Sequence, residues 1–563
     1  MTHRTNNRPT SALTRRRLMQ TAAVTGVAGF GLSAATTAAS PLPASSAPSI
    51  AQDGGSQVVI GAWAEPATLL SGAPVTGASY QQIQRIIANG LVKLAYPSFE
   101  VEPDLAETWE VSEDSLVHTF TLRSGVTWHD GEPFTADDVK FTYDLVTNVE
   151  WPGGLDSYFA QIAGATEHKA GEADQLAGVE VIDETHVRIT LLQPDALFLA
   201  SAASRQRILP RHILESMAVA EIDRSDFARK PVYTGAYIVE EWLQGESLTL
   251  RANPEYFGGA PAIETVISRF IPDPATAYAE LTSGGLDLGT VSPDLLEAFT
   301  SDSNFTVREL PGLRVIFLNF DLNLPIFSDP RVRQAISHSV DKQTVIDALL
   351  LGKGEVGRSL VTPLAWIFNP DAPDYPYDPE RASSLLDEAG WTMGDDGVRT
   401  NAEGERLAFT LTVPTANRQD GLAVQPFLQE AGFEVTIEEQ GAGQVTGPLV
   451  VGEFEAAVTS WNNFIIDPRA DLQRWFQNPR PNDSTGYVNE EVDALFVEAR
   501  AALDQEVEKS LYFEIQNLVA TDAPLVYLWR QQDLLVIGQR LTVPETETLS
   551  ELYDRIPEWQ ING

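Results

Sequence analysis

From residue 57 onward, short apolar and β-branched runs alternate with stretches of helical period, separated by turn residues. QVVIGAW (57–63) is a continuous apolar run of strand length and predicts a first, buried strand. VHTFTLRSGV (117–126) alternates apolar with polar positions and predicts a half-exposed strand; HVRITLL (186–192) and SLTLRAN (247–253) read the same way. Three helices have marked starts. Asp329-Pro330 sets an N-cap before a proline that needs no backbone donor, opening DPRVRQAISHSV. Asp341 opens DKQTVIDALLLG, which stops at Gly352, and Asp378-Pro379 opens DPERASSLLDEAG, which stops at Gly390. Strands and helices mixed in this way predict α/β lobes rather than a β-sandwich or a helical bundle. A chain of 563 residues is too long for one core, so at least two lobes are expected.

TWHDGEPFTADDVKFTYDL (127–145) is dense with charge and raises the question of a metal or catalytic site. Most of it reads as scaffold. Asp130-Gly131 is a turn dipeptide. Thr135 and Asp138 stand as a capping box, with Asp138 a shorter substitute for the usual Glu, and Asp137 and Asp138 lie where a helix dipole favours acids. Phe141, Leu145 and Val146 continue as an apolar helical face. His129-Asp130 could ligate a metal, but such a site needs three or four ligands and no second histidine is near.

Composition narrows the field. Asp and Glu number 79 against 38 Lys and Arg, a formal net charge of −41. That balance opposes nucleic-acid binding, which depends on cations at phosphates, and is compatible with salt adaptation. There is no cysteine, hence no disulfide, thiol nucleophile, Fe–S cluster or lipid-modified cysteine. TRRRLMQ (14–20) precedes a small-residue apolar stretch, which predicts an export signal of twin-arginine type over 1–40, with a cleavage point near Ala39; an uncleaved anchor is the alternative. An Ala/Ser/Pro-rich linker follows over 41–56. No G-x-S-x-G, H-E-x-x-H or P-loop motif is present, which disfavours an enzyme, although abundant acids leave a two-carboxylate hydrolase open. No cofactor is implied.

PDLAETWEVSEDSLVHTFTLRSGVTWHDGEPFTADDVKFTYD (103–144) resembles the signature of the extracellular solute-binding proteins of family 5, which serve ATP-driven importers of dipeptides, oligopeptides and nickel. TGAYIVEEW (234–242), NPEYFGGAPAIETVISRFIPDPATAYAELTSGGLDL (253–288), FLNFDLNLPIFSDPRVRQAISHSVDKQTVI (317–346) and YDPERASSLLDEAGW (377–391) agree in the same order. The resemblance implies a two-lobed, type II clamshell with mixed sheets flanked by helices. Lobe I would comprise 57–310 plus 520–563, with an inserted subdomain over about 96–230, and lobe II 311–519. Ligand would be trapped by hinge closure in the cleft. An ABC permease and its ATPase would be the partners, the protein itself a monomer outside the cytoplasmic membrane. A periplasmic sensor sharing the clamshell is the alternative.

The resemblance also locates one cleft segment, SWNNFIIDPRADLQRWF (460–476). Peptide-binding members usually place an aspartate three residues after the tryptophan, as partner for the peptide's ammonium; here Phe464 stands there. Asp467 or Glu65 could substitute, though Asp467 before Pro468 also reads as a helix cap. Trp461, Asn462, Asn463 and Phe464 offer an aromatic face with amides, suited to a sugar, a modified peptide or another amphipathic solute, unless Trp461 packs in the core. Trp63 and Glu65 follow the first strand, where its end would reach the cleft. Tyr80 faces the cleft or a helix core. Arg314, beside the expected crossover, pairs with a ligand carboxylate or is a hinge residue.

Overall fold

The computed structural model describes residues 56–73, 78–96, 98–152, 158–441, 454–462, 467–478 and 485–562. The expected export signal, and the linker apart from Ser56, lie outside the described residues. Among the described residues no helix is long and apolar enough to cross a membrane.

Two mixed sheets organise the chain. The first has seven strands in the order Phe305–Leu310, Asp533–Gly538, Leu288–Thr290, Gln57–Ala62, Thr265–Phe270, Ser247–Ala252, Tyr237–Leu243. Gln57–Ala62 runs parallel to both neighbours and is buried on both faces at Val58, Val59 and Ile60, which is why its sequence is apolar without alternation. The second sheet has six strands in the order Gly354–Val356, Leu525–Gln531, Arg314–Phe320, Ala456–Asn462, Ala408–Pro414, Glu434–Gln440. A four-stranded antiparallel sheet, Ala106–Val111, Val117–Leu122, His186–Thr190, Val179–Asp183, is inserted before the first lobe is complete. Val117–Leu122 alternates buried with half-buried positions as its period of two requires.

The helices begin where capping chemistry placed them. Asp329, Asp341 and Asp378 each accept a backbone N–H of the first turn, from Arg331, Thr344 and Arg381. Thr135 and Asp138 form the capping box of Ala136–Val146. The charge-dense stretch is scaffold. The His129 ring lies between the Gly235 carbonyl, 3.1 Å from Nε2, and the Tyr233 N–H, 3.2 Å from Nδ1. No group of three or more potential metal ligands exists among the described residues.

The chain crosses from the seven-stranded to the six-stranded sheet over residues 311–313 and returns at Gln532. The return point corrects the expected boundary at residue 520. Leu525–Gln531 pairs with Arg314–Phe320 in the second lobe, and only the next strand, Asp533–Gly538, joins the first. The two crossings touch: a Cβ on Gly312 would lie 1.5 Å from the Gln531 carbonyl oxygen, so only glycine allows this approach.

One apolar cluster runs from Val58 and Ile60 through Val139 and Val187 to Trp559, so the inserted sheet shares the core of the first lobe. A second fills the other lobe around Leu318, Phe409 and Trp529. A third is shared: Leu94, Tyr96, Phe99 and Ala200 of the first lobe pack with Val315, Phe317, Leu472 and Phe496 of the second. Beside it, Arg500 forks onto Asp195 across the lobes, with both side chains buried.

Candidate functional site

A cavity of about 590 Å³ opens beside this shared cluster. That lies within the range of small-ligand sites. The helix Ala78–Ile87 forms one wall. Its period sends Ile83, Ile86 and Ile87 into the core, while Tyr80, Gln84, Gln81 and Arg85, spaced by three and four, face the cavity. A second wall follows the helical turn Leu199–Ala203 and brings Ser204, Arg205, Gln206 and Arg207. Tyr256 and Phe257 close a third side. The second lobe contributes Arg474, from the helix Pro468–Phe476.

Arg85 Nη1 donates to both Asp554 oxygens at 2.8 Å, and its guanidinium lies 4.3 Å from the centre of the Tyr96 ring. Arg205 lies over Tyr158 at 4.9 Å. Arg123 Nε donates to the Asp104 carbonyl at 2.6 Å. The Asp104 carboxylate accepts from Asn89 and the Gly90 N–H, and its burial pushes its pKa up despite those bonds and the nearby Arg207. Burial pushes the Tyr80 hydroxyl up to about 12; it donates to the Leu70 carbonyl and stays neutral. Burial also lowers the Arg207 pKa, against the opposing pull of Asp104.

The structure brings together only part of the expected set. Tyr80 is on the cavity wall. Trp461 is one layer behind it: its ring stands edge-on to Trp475 at 5.5 Å and carries the Arg474 guanidinium at 5.3 Å. The Trp461 indole N–H and the Asn462 Oδ1 are buried with no hydrogen-bond partner among the described residues. Asn463 and Phe464 lie outside the described residues. Asp467 is not available to a ligand: it is 1% exposed, caps the helix through the Arg469 N–H and binds the Arg469 guanidinium, which also holds Glu508. Glu65 is likewise engaged, accepting from the Trp242 indole and the Gly245 N–H and so fixing the hairpin of strands 237–243 and 247–252. Trp63 is 60% exposed and away from the cavity wall. Arg314 starts the strand opposite Asn462; Asp420 and Asp533 are its charged neighbours, and burial lowers its pKa.

Sequence reasoning missed the arginines at 85, 123, 205, 207 and 474. RQR (205–207) in so acidic a chain was the one local signal; the others stand singly and converge only in the fold.

The model of a family described as bacterial extracellular solute-binding proteins, family 5 Middle, matches residues 100–483. The oligopeptide-binding protein AppA of Bacillus subtilis is 28% identical over 516 residues, 90% of this chain and 91% of that protein. Its structure in complex with a nonapeptide superposes with a TM-score of 0.77 at 25% identity, over 90% of this chain and 99% of that one. The heme-binding protein A of Haemophilus influenzae is 29% identical over 477 residues, 80% of this chain and 83% of that protein. NikZ of Campylobacter jejuni in complex with Ni(L-His) gives a TM-score of 0.76 at 26% identity, covering 89% and 99% of the two chains.

Proposed function

Because the chain belongs to the bacterial extracellular solute-binding proteins of family 5, we propose that it is the extracytoplasmic binding component of an ABC importer. It captures a peptide or peptide-like solute between its lobes and hands it to a membrane permease driven by an ATPase subunit. It acts as a monomer outside the cytoplasmic membrane, after export, and performs no catalysis. The observation that carries this reading is the cavity of about 590 Å³ walled by the first lobe and closed by Arg474 of the second. The two chain crossings, at Gly312 and Gln531, are in direct contact, which puts both connections between the lobes at one place, as a hinge requires. The relatives support peptide or peptide-like cargo: AppA is named for oligopeptides and its structure holds a nonapeptide.

A thermal-shift screen of the purified chain tests this. The panel is free peptides of two to nine residues, N-acetylated peptides, oligosaccharides and nickel with histidine. A ligand at about 100 times its dissociation constant adds roughly 2.7 kcal/mol, enough to move the midpoint measurably. A shift with peptides, free or N-blocked, supports the reading. A shift with oligosaccharide alone replaces the cargo, and no shift with any class removes solute capture.

A further inference from the structure

The whole chain carries 79 acids against 38 Lys and Arg, yet the cavity reverses that balance. Arg85, Lys93, Arg123, Arg205, Arg207 and Arg474 line it; among the described residues the facing carboxylates are Asp104 and Asp554. Both acids are already committed. Asp554 accepts Arg85 Nη1 on both its oxygens, and Asp104 is 6% exposed and bonded to Asn89 and the Gly90 N–H. No described carboxylate of the wall is left to hold a cationic group of a ligand.

The cations are not equally neutralised. Arg85 has Asp554, and Lys93 has Glu102 at 3.4 Å. Among the described residues, no carboxylate lies within ion-pair distance of Arg123, Arg207 or Arg474. What orients them is uncharged: the Asp104 carbonyl and the Phe257 ring for Arg123, the Ser204 carbonyl for Arg207, the Trp461 ring for Arg474. Carbonyls and rings hold a guanidinium in place without cancelling its charge. Arg123 and Arg207 are half-buried and Arg474 is exposed; closing the lobes over a solute would withdraw them from water, which is costly unless an anion replaces the solvent. A planar guanidinium fork suits carboxylate and phosphate oxygens. Beside them, Gln84 presents a buried Oε1 with no partner among the described residues, an acceptor for one N–H or O–H of the solute.

We propose that the solute of this cavity is a small polyanion, bearing two or more carboxylate or phosphate groups, bound by Arg123 and Arg207 of the first lobe and Arg474 of the second. Closure then brings the second lobe's cation onto a charge already seated on the first. The proposal rests on the solute-capture reading and narrows its cargo.

The test uses the full chain and the small-molecule fraction of yeast extract, split on a strong anion exchanger into retained and unretained pools of matched salt. Each pool is offered in a thermal-shift assay and in equilibrium dialysis read by mass spectrometry. The expected result is stabilisation by the retained pool alone, with anionic solutes enriched in the protein chamber. Arg207→Gln and Arg474→Gln are each expected to cut that enrichment tenfold or more while the ligand-free midpoint stays at or above that of the parent. Phosphatase treatment of the pool separates the two chemistries: loss of the effect means phosphate, persistence means carboxylate. Stabilisation by the unretained pool alone, or full enrichment by both Gln variants, overturns the proposal and leaves solute capture standing. No enrichment from either pool overturns both.

Discussion

The Arg474 guanidinium lies over the Trp461 ring, 5.3 Å from its centre, and so reaches the cavity wall supported by a residue that is not itself on that wall. Trp461 in turn stands edge-on to Trp475, which stands edge-on to Phe317 in the central strand of the lobe. This makes Trp461 a positioning residue. Trp461→Phe keeps a six-membered ring under Arg474 and removes the smaller ring with its indole N–H, which has no hydrogen-bond partner among the described residues. The expected outcome is a ligand-free midpoint within a degree or two of the parent and little change in affinity. Trp461→Ala removes the platform, costs about 3–5 kcal/mol of stability as aromatic truncations in packed sites do, and weakens ligand binding tenfold or more. If Phe weakens binding as much as Ala while folding normally, the five-membered ring or its N–H touches the solute and the positioning role is wrong.

Asp195 and Arg500 couple the lobes away from the cavity. Both are buried, and the Arg500 carbonyl also accepts from the Ala196 N–H at 2.8 Å. Removing one partner strands a buried charge, which costs about 3–5 kcal/mol, far more than the pair itself contributes. Asp195→Ala is therefore expected to lower the denaturant midpoint strongly. Replacing both residues, Asp195→Asn with Arg500→Met, is expected to recover most of that loss. A double variant as unstable as the single one would show that shape rather than stranded charge is at fault.

Local chemistry was legible in the sequence, and long-range convergence was not. Asp329, Asp341, Asp378 and Thr135 announce helix starts because a cap involves residues two or three apart. The strand at Gln57–Ala62 was readable from its unbroken apolar run. The return crossing was not. LVYLWRQQDLLVIG (525–538) is apolar on both sides of Gln532, and nothing local says that its halves join different sheets. The order of functional residues failed for the same reason. Asp467 and Glu65 are acids near the expected cleft, but each is consumed by a neighbour, Arg469 or Trp242, whose position depends on the fold. Isolated arginines such as Arg123 and Arg474 carry no spacing pattern at all. Only the return of Ala78–Ile87, the 199–207 turn and the 468–476 helix to one place makes them a site.

His118 predicts an acid-side loss of stability. It is 4% exposed, packed on Phe198 with ring centres 4.7 Å apart, and among the described residues neither ring nitrogen has a hydrogen-bond partner. Burial pushes its pKa down to about 4, against a small opposing pull from Asp195; His129 is also pushed to about 4 by burial. The unfolded chain takes up these protons near pH 6.5 and the folded chain does not. Stability is therefore complete above about 6.5 and falls as pH drops toward 4, by on the order of 2–3 kcal/mol for each histidine. His118→Phe is expected to match or exceed the parent midpoint at pH 7 and to lose less of it at pH 4.5. Equal losses in both proteins would show that His118 is solvated in solution.

Asp533 acts with the opposite sign. It opens the strand that re-enters the first lobe, in register with Leu310, and Arg314 of the other crossing is its charged neighbour, with Tyr553 nearby. Burial pushes its carboxyl up to about 7 and Arg314 recovers only part of that cost. In the unfolded chain the same group ionises near pH 4. Between these values the folded state holds a proton that the unfolded state has released. Stability from this group is therefore greatest below about pH 4 and declines as pH rises through 7. Asp533→Asn keeps the shape and removes the ionisation. It is expected to have nearly the parent midpoint at pH 4.5 and a midpoint higher by a degree or more at pH 8, so that the variant's stability rises more steeply from pH 4.5 to 8. Because His118 and His129 drive the curve the other way, the comparison is made between variant and parent at each pH rather than along one curve. A variant less stable than the parent at pH 8 would mean that the Arg314–Asp533 attraction outweighs burial at the crossing.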